Sequence, residues 1–303
     1  MAYYRLKPKN DFVFGKLFGE QDSRDSLKAL LNAILRQGGQ EPIADLVVIE
    51  NRTLDRWRPE DKLGSLDILA ELASGEQVNV EMQVANPYNM IPRTLFYATK
   101  LFTRSIKAGQ DYEALRRTIA INLLDFRLLA SSDRFHHTFH FRDDAAPHAL
   151  LTDVVELHFI EFPKFEQTPK DKRNPLHRWL MFMDEKLGED ERKELMAMDS
   201  MIEKTEAKLE QLSSDPLARE LAEARERAIR DWNSSMAGSR KEGWEEGRKE
   251  GRDEGRKVGR DEGREAGKAE IAVKMLQNGM KRDFVAEMTG LTLEQIDRLD
   301  AER

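Results

Sequence analysis

The sequence predicts a mixed α/β domain followed by a long, charged helical region. Two helical patterns and then six short runs rich in Val, Ile and Phe end near residue 166, the make-up of a sheet with helices against it. From Pro169 the composition turns to charged helices carrying Met and Leu, and from 243 to 267 a glycine stands at every fourth position.

In chain order, DFVFGKLFG and SLKALLNAIL repeat apolar residues at helical spacing. DLVVIEN, SLDILAEL, QVNVEMQV, TIAINLLDF, RFHHTFHF and DVVELHFIEF read as strands, mostly separated by turn residues. Between the third and fourth of these, the segment from Pro92 to Gly109 reads as a helix, with proline near its first position and glycine past its end. These elements place a core domain at 1–168. HRWLMFMDEKL, KELMAMDSMIEKTEAKLEQL and LARELAEARERAIRDW then read as a helical appendage over 169–237.

The glycine repeat occupies 238–269, and between Arg240 and Glu270 ten basic and ten acidic residues leave it neutral yet dense in charge. Four residues turn an α-helix by about 400°, so successive glycines drift by about 40° and trace a slowly winding groove. Seven glycines at roughly 0.8–1 kcal/mol each weaken an isolated helix severely. The segment is therefore expected either to pair with a copy of itself, making a homo-oligomer, or to be a flexible charged tether. Residues 270–303 regain pattern as three short helices punctuated by Asn278-Gly279 and Thr289-Gly290, with Thr292 and Gln295 at capping-box spacing. The arrangement looks like a helix-turn-helix. Its third helix sets Glu294, Asp297, Asp300 and Glu302 against Arg298, which suits packing or partner binding better than a DNA groove.

The absence of cysteine excludes disulfides, Cys-based zinc fingers, iron–sulfur clusters and cysteine nucleophiles together, so a metal must sit on oxygen or histidine. No stretch approaches the roughly 20 uncharged residues of a membrane span, and a cytoplasmic protein is expected. The net charge of -7, with 22 basic and 24 acidic residues over 1–170, neither announces nor excludes nucleic acid, because a nuclease site combines carboxylates with a local basic patch. The charged glycine repeat holds no Walker or dinucleotide pattern. His136, His137 and His140 share one strand, where 136 and 140 stand too far apart to chelate one ion alone; they read as core or surface histidines.

The chemistry is concentrated between Lys62 and Val84. Val78, Val80, Met82 and Val84 alternate with Gln77, Asn79, Glu81 and Gln83, so one face meets a core and the other something polar. Ile68, Ala70 and Leu72 alternate likewise with Asp67, Leu69 and Glu71. An odd-length loop such as Ser74-Gly75-Glu76 sets Ile68 opposite Met82, Ala70 opposite Val80 and Leu72 opposite Val78, with Asp67 opposite Gln83 and diagonal to Glu81. Two carboxylates at a diagonal spacing of roughly 7–8 Å suit a hard divalent cation such as Mg²⁺. The same spacing is common on solvent-facing hairpins.

Asp67 on one strand and Glu81-Met82-Gln83 on the next resemble the D…(D/E)xK motif of the PD-(D/E)XK nuclease superfamily. They resemble more closely the D…ExQ variant of the Rpn family of recombination-promoting nucleases and transposases. KPKNDFVFGKLFG, RTLFYATKLFTRSIKAGQDYEAL leading into IAINLLDF, and the glycine-every-four tail ending in LTLEQI agree, so the resemblance spans essentially the whole chain. It implies a restriction-endonuclease-like three-layer α/β/α core with a C-terminal helical region. It further implies Asp67 and Glu81 as ligands of Mg²⁺, or of Mn²⁺ or another divalent cation, joined by the backbone carbonyl of Met82, with Asp11 assisting. Gln83 replaces the usual lysine; an amide orients water but carries no charge for the phosphate. Lys62 and Lys16 are the candidates to supply it.

Arg93, Tyr97, Lys100, Arg104 and Lys107, spaced four, three, four and three apart, form a stripe that could meet DNA phosphates or be an ordinary solvated face; Leu95, Ala98, Leu101, Phe102 and Ile106 are expected toward the core. The expectation is a metal-dependent DNA endonuclease of low sequence specificity, associated with recombination or transposition. The alternative is a non-catalytic DNA-binding or oligomeric scaffold on a nuclease-derived fold.

Overall fold

The computed structural model describes residues 4–36, 42–49, 53–54, 64–65 and 67–301. Lys62 lies outside them. Two compact units result, Met1–Trp232 and Asn233–Arg303.

In the first unit, α1 (Asp11–Phe18) opens on Asn10, whose side-chain oxygen accepts from the amides of Phe12 and Val13, and α2 (Arg24–Leu35) follows a short 3₁₀ turn. Then come β1 (Leu46–Val48), the small pair β2 (Thr53–Leu54) and β3 (Gly64–Ser65), β4 (Ile68–Leu72) and β5 (Gln77–Gln83). Helix α3 (Met90–Arg104) crosses to β6 (Thr118–Leu124), which is followed by β7 (His136–Arg142) and β8 (Leu150–Glu161). The chain continues through α4 (Phe162–Glu166), α5 (Pro175–Phe182), α6 (Glu189–Met198), α7 (Ser200–Ser214) and α8 (Pro216–Gln277).

All six runs expected to be strands form one mixed sheet in the order β1-β4-β5-β6-β8-β7. β5, β6 and β8 are parallel to one another, and the outer pairings are antiparallel. One face carries Ile68, Ala70, Val78, Val80, Met82, Ile119, Ile121 and Ile160 into a core with Phe14, Leu17, Phe18, Leu30 and Ile34. The other carries Leu69 and Ala120 to Tyr97, Leu101 and Ala98 of α3. Helices on both faces of the sheet make the three-layer α/β/α architecture.

Two expectations are corrected here. The helices from 169 are no appendage: Trp179, Leu180, Phe182, Leu195, Ile202, Leu209, Ala218 and Ala222 share the main core with α1 and α2. Their charged outer faces mask an apolar stripe at helical spacing. The hairpin register also shifts by two residues, with Ile68 beside Val80 and Ala70 beside Val78. Ala73-Ser74-Gly75 forms the turn, and Gly75, at φ +85°, takes the left-handed position where other side chains are strained. A slip of two leaves every side chain on its expected face, so alternation could not detect it.

In the second unit the glycine repeat lies inside α8 as continuous helix rather than a tether, and a Cβ added at any glycine from 243 to 267 meets nothing within 4 Å. α9 (Arg282–Thr289) and α10 (Leu293–Ala301) fold against the end of α8 through Ala272, Leu276, Val285, Leu291 and Ile296. Gly279 and Gly290 take positive φ at the two turns, and Thr292 and Gln295 exchange capping-box hydrogen bonds of 2.8 and 3.2 Å. Arg282 holds Asp297 at 3.0 Å and Asp300 at 2.8 Å, so part of the acidic face of α10 is spent within the unit.

Candidate active site

The corrected register brings Asp67, the residue just before β4, level with Glu81 rather than Gln83. Its Oδ2 accepts the amide of Met82 at 2.9 Å. Glu81 is 2% exposed although it lies on the polar side of the alternation, because α3 covers that face. Its Oε1 accepts from Asn79 Nδ2 at 3.3 Å and its Oε2 from Arg93 Nε at 3.3 Å. Burial first, and then the Glu81 carboxylate, push the Asp67 carboxyl up to about 7; Asp11 adds to the rise, while the Met82 amide and Arg93 oppose it.

Asp11, in the first turn of α1, thus reaches Asp67 through its charge. Its own Oδ2 stands 3.8 Å from Arg225. It does not complete a ligand cage: among the described residues no three carboxylate or imidazole side chains stand where they could hold an ion together. The donor chemistry nonetheless fits a hard divalent cation. Asp67 and Glu81 lie level on neighbouring strands, Arg93 pairs with Glu81, and the neighbouring Asn79 Oδ1 is buried with no hydrogen-bond partner. An all-oxygen set of this kind suits Mg²⁺ or Mn²⁺.

Gln83 is half-buried at the end of β5, and its carbonyl accepts from the Asp125 amide at 2.9 Å. Lys16 is not at the site. It sits in the last turn of α1 and donates to Glu20 at 2.6 Å.

The stripe on α3 divides. Tyr97 is 9% exposed and packs inward with Leu69 and Leu101, while Arg93 leaves the stripe for Glu81 and lies 4.9 Å above the Tyr97 ring. Lys100 is half-buried with its ammonium 5.6 Å from the Phe96 ring; Arg104 is exposed, and Lys107 lies past the helix end. The buried positions are Met90, Thr94, Tyr97, Ala98 and Leu101, so the expected stripe runs along the edge of the core face. Leu95 faces outward instead of to the core, at 44% exposed.

Sequence reasoning missed three features. Asn79 was legible as the residue two before Glu81 on its face; the Arg93–Glu81 pair and the Lys9–Asp125 pair had no signal, since each joins separate elements. The histidines form a network of their own. His136 meets His158 at 2.9 Å, and Glu156 accepts from His140 at 2.7 Å, from His158 and from Arg117. Burial and its histidine neighbour push His136 down to about 3, and these partners hold Glu156 well below the usual carboxylate range although burial opposes them.

The sequence profile of the PD-(D/E)XK nuclease family transposases matches residues 8–239. That of the C-terminal HTH domain of the Rpn/YhgA-like nuclease family matches residues 265–300. No curated protein and no solved structure matches the chain.

Proposed function

We propose, for a chain that belongs to the PD-(D/E)XK nuclease family of transposases, a divalent-metal-dependent endonuclease that hydrolyses DNA phosphodiesters with little sequence preference. The observation that carries this reading is the meeting of Asp67 and Glu81 at one hairpin end, a half-buried carboxyl level with a buried carboxylate that Arg93 holds. Buried charges of like sign are costly unless a counter-charge joins them. Asp67 and Glu81, with the Met82 carbonyl, would hold Mg²⁺ or Mn²⁺. When bound, such a cation supplies Lewis acidity toward a phosphodiester.

The remaining work falls to the protein. Gln83 donates and accepts through its amide to orient the attacking water. Arg93, held to Glu81, fixes that carboxylate's orientation, and its half-exposed guanidinium, with Lys100 and Arg104 farther along α3, offers positive charge to the DNA backbone. The C-terminal helix-turn-helix adds a second DNA contact, supported by its family; the free basic face must then be sought off α10. Self-association through 240–270 is part of the reading, supported by the uncrowded glycines and the balanced charge of that helix.

Supercoiled plasmid incubated with the protein in Mg²⁺, in EDTA, and with Asp67→Ala in Mg²⁺ tests it. Nicking or linearisation in the first tube alone is expected. Intact plasmid in all three, with folded protein, favours a non-catalytic scaffold.

A further inference from the structure

We propose that Lys9 supplies the positive charge that Gln83 lacks, acting on the phosphate at the Asp67–Glu81 site. This rests on the nuclease reading above. Lys9 is a lysine only 7% exposed, with its ammonium donating to Asp125 Oδ1 at 2.7 Å and lying 5.1 Å from the ring of Phe162. Asp125 is the first residue past β6, and its amide donates to the carbonyl of Gln83 at 2.9 Å. The ammonium therefore stands at the strand end that carries the residue where the motif lacks its lysine.

Its place is fixed from both sides. Asn10 caps α1 and donates its own amide to the Ala222 carbonyl at 3.0 Å, and Asp11 lies close enough to Asp67 for its charge to act there. Burying an ammonium costs desolvation that one carboxylate, itself partly exposed, offsets incompletely. Lys16 is engaged with Glu20 at the other end of α1. A cation held in a partly dry cleft beside a reacting phosphate stabilises charge more strongly than one in water.

The rival role is a clasp between the N-terminal segment and the sheet. A clasp needs both partners equally; a charge acting on phosphate needs Lys9 alone. The test is single-turnover plasmid cleavage in Mg²⁺ by the full chain and its Lys9→Gln, Lys9→Arg and Asp125→Asn variants. Mn²⁺ affinity is read by calorimetry, DNA affinity by fluorescence anisotropy and folding by thermal melting. Lys9→Gln is expected to slow cleavage about 100-fold, as removal of one transition-state donor does, with Mn²⁺ and DNA affinities within about threefold of wild type. Lys9→Arg should recover most of the rate, and Asp125→Asn should stay within about threefold. If Lys9→Gln loses its fold, Lys9→Met, which keeps the stem against Phe162, takes its place. Equal slowing by the Lys9 and Asp125 variants, or wild-type rates in Lys9→Gln, overturns the proposal and leaves the nuclease reading standing. Intact plasmid with wild-type protein overturns both.

Discussion

The carboxylate of Asp67 reaches past its level with Glu81 and accepts the amide of Met82, 2.9 Å away, so one backbone N–H of β5 is satisfied by a side chain. That bond fixes the acid at the hairpin end, level with Glu81 on the neighbouring strand. This amide favours the charged form, yet burial and then Glu81 outweigh it and push Asp67 up to about 7.

A pH dependence of known sign follows. Between the ordinary value of 3.8 and about 7 the folded protein keeps a proton on Asp67 that the unfolded chain has released. This group's contribution to stability is therefore present below about pH 4 and lost as pH rises through 7. In EDTA, Asp67→Asn should match wild type near pH 4 and melt progressively higher than wild type toward pH 8. Excess Mn²⁺ should raise the wild-type melting temperature and leave the variant unmoved, about 2.7 kcal/mol of stabilisation at a hundredfold excess over Kd. Identical melting of the two proteins across pH contradicts the buried acid pair.

Arg93→Ala leaves Glu81 with Asn79 as its remaining described partner and removes the cation above the Tyr97 ring. A buried acceptor deprived of its partner costs about 1–3 kcal/mol. Urea unfolding in EDTA should show a loss in that range, and Arg93→Lys should recover little of it, because the guanidinium bridges Glu81 and the ring together.

The core boundary is testable by truncation. A chain ending at Thr168 lacks Trp179, Leu180 and Phe182, which pack with Phe18 and Leu30, and should be recovered aggregated or unfolded; one ending at Trp232 should melt cooperatively. Trp179→Ala in the full chain should cost about 3–5 kcal/mol by denaturant titration.

Alanine at Gly251, Gly255 and Gly259 meets no neighbour in the single chain. Each substitution should strengthen the helix by about 0.8–1 kcal/mol, read as added helical ellipticity and a later melt. If copies associate through this stripe, the same substitutions lower the mass seen by light scattering, and so does ending the chain at Ala237. An unchanged mass in both refutes association there.

The fold class was legible because strands and helices carry different hydrophobic periods, and all six strand runs follow theirs. That Asp67 and Glu81 come together was legible, since both lie on one alternating hairpin. Its register was not, because the left-handed Gly75 sets the turn and a slip of two conserves the pattern. Tyr97 and Leu95 exchanged places because neighbouring residues differ by only about 100° around a helix, and the true core face begins one position from the stripe. α6 and α7 hid their core face behind charge, and the partners of Arg93 and Lys9 exist only after distant elements meet.

The contacts of the hairpin and those of the N-terminal segment also differ in how far the chain must close on itself. Asp67 and Met82 are 15 residues apart, whereas Lys9 and Asp125 are 116 apart, Arg5 and Glu206 201, and Asn10 and Ala222 212. Short closures precede long ones because chain entropy must be spent before a distant contact returns anything. The Asp67–Met82 contact can thus form while the protein is still being made, but that of Lys9 must wait for residue 125, and that of Asn10 for residue 222, to leave the ribosome. Until then the hairpin that carries Asp67 and Glu81 stands formed without the long-range contacts of the N-terminal segment, so synthesis itself delays completion of the fold around it.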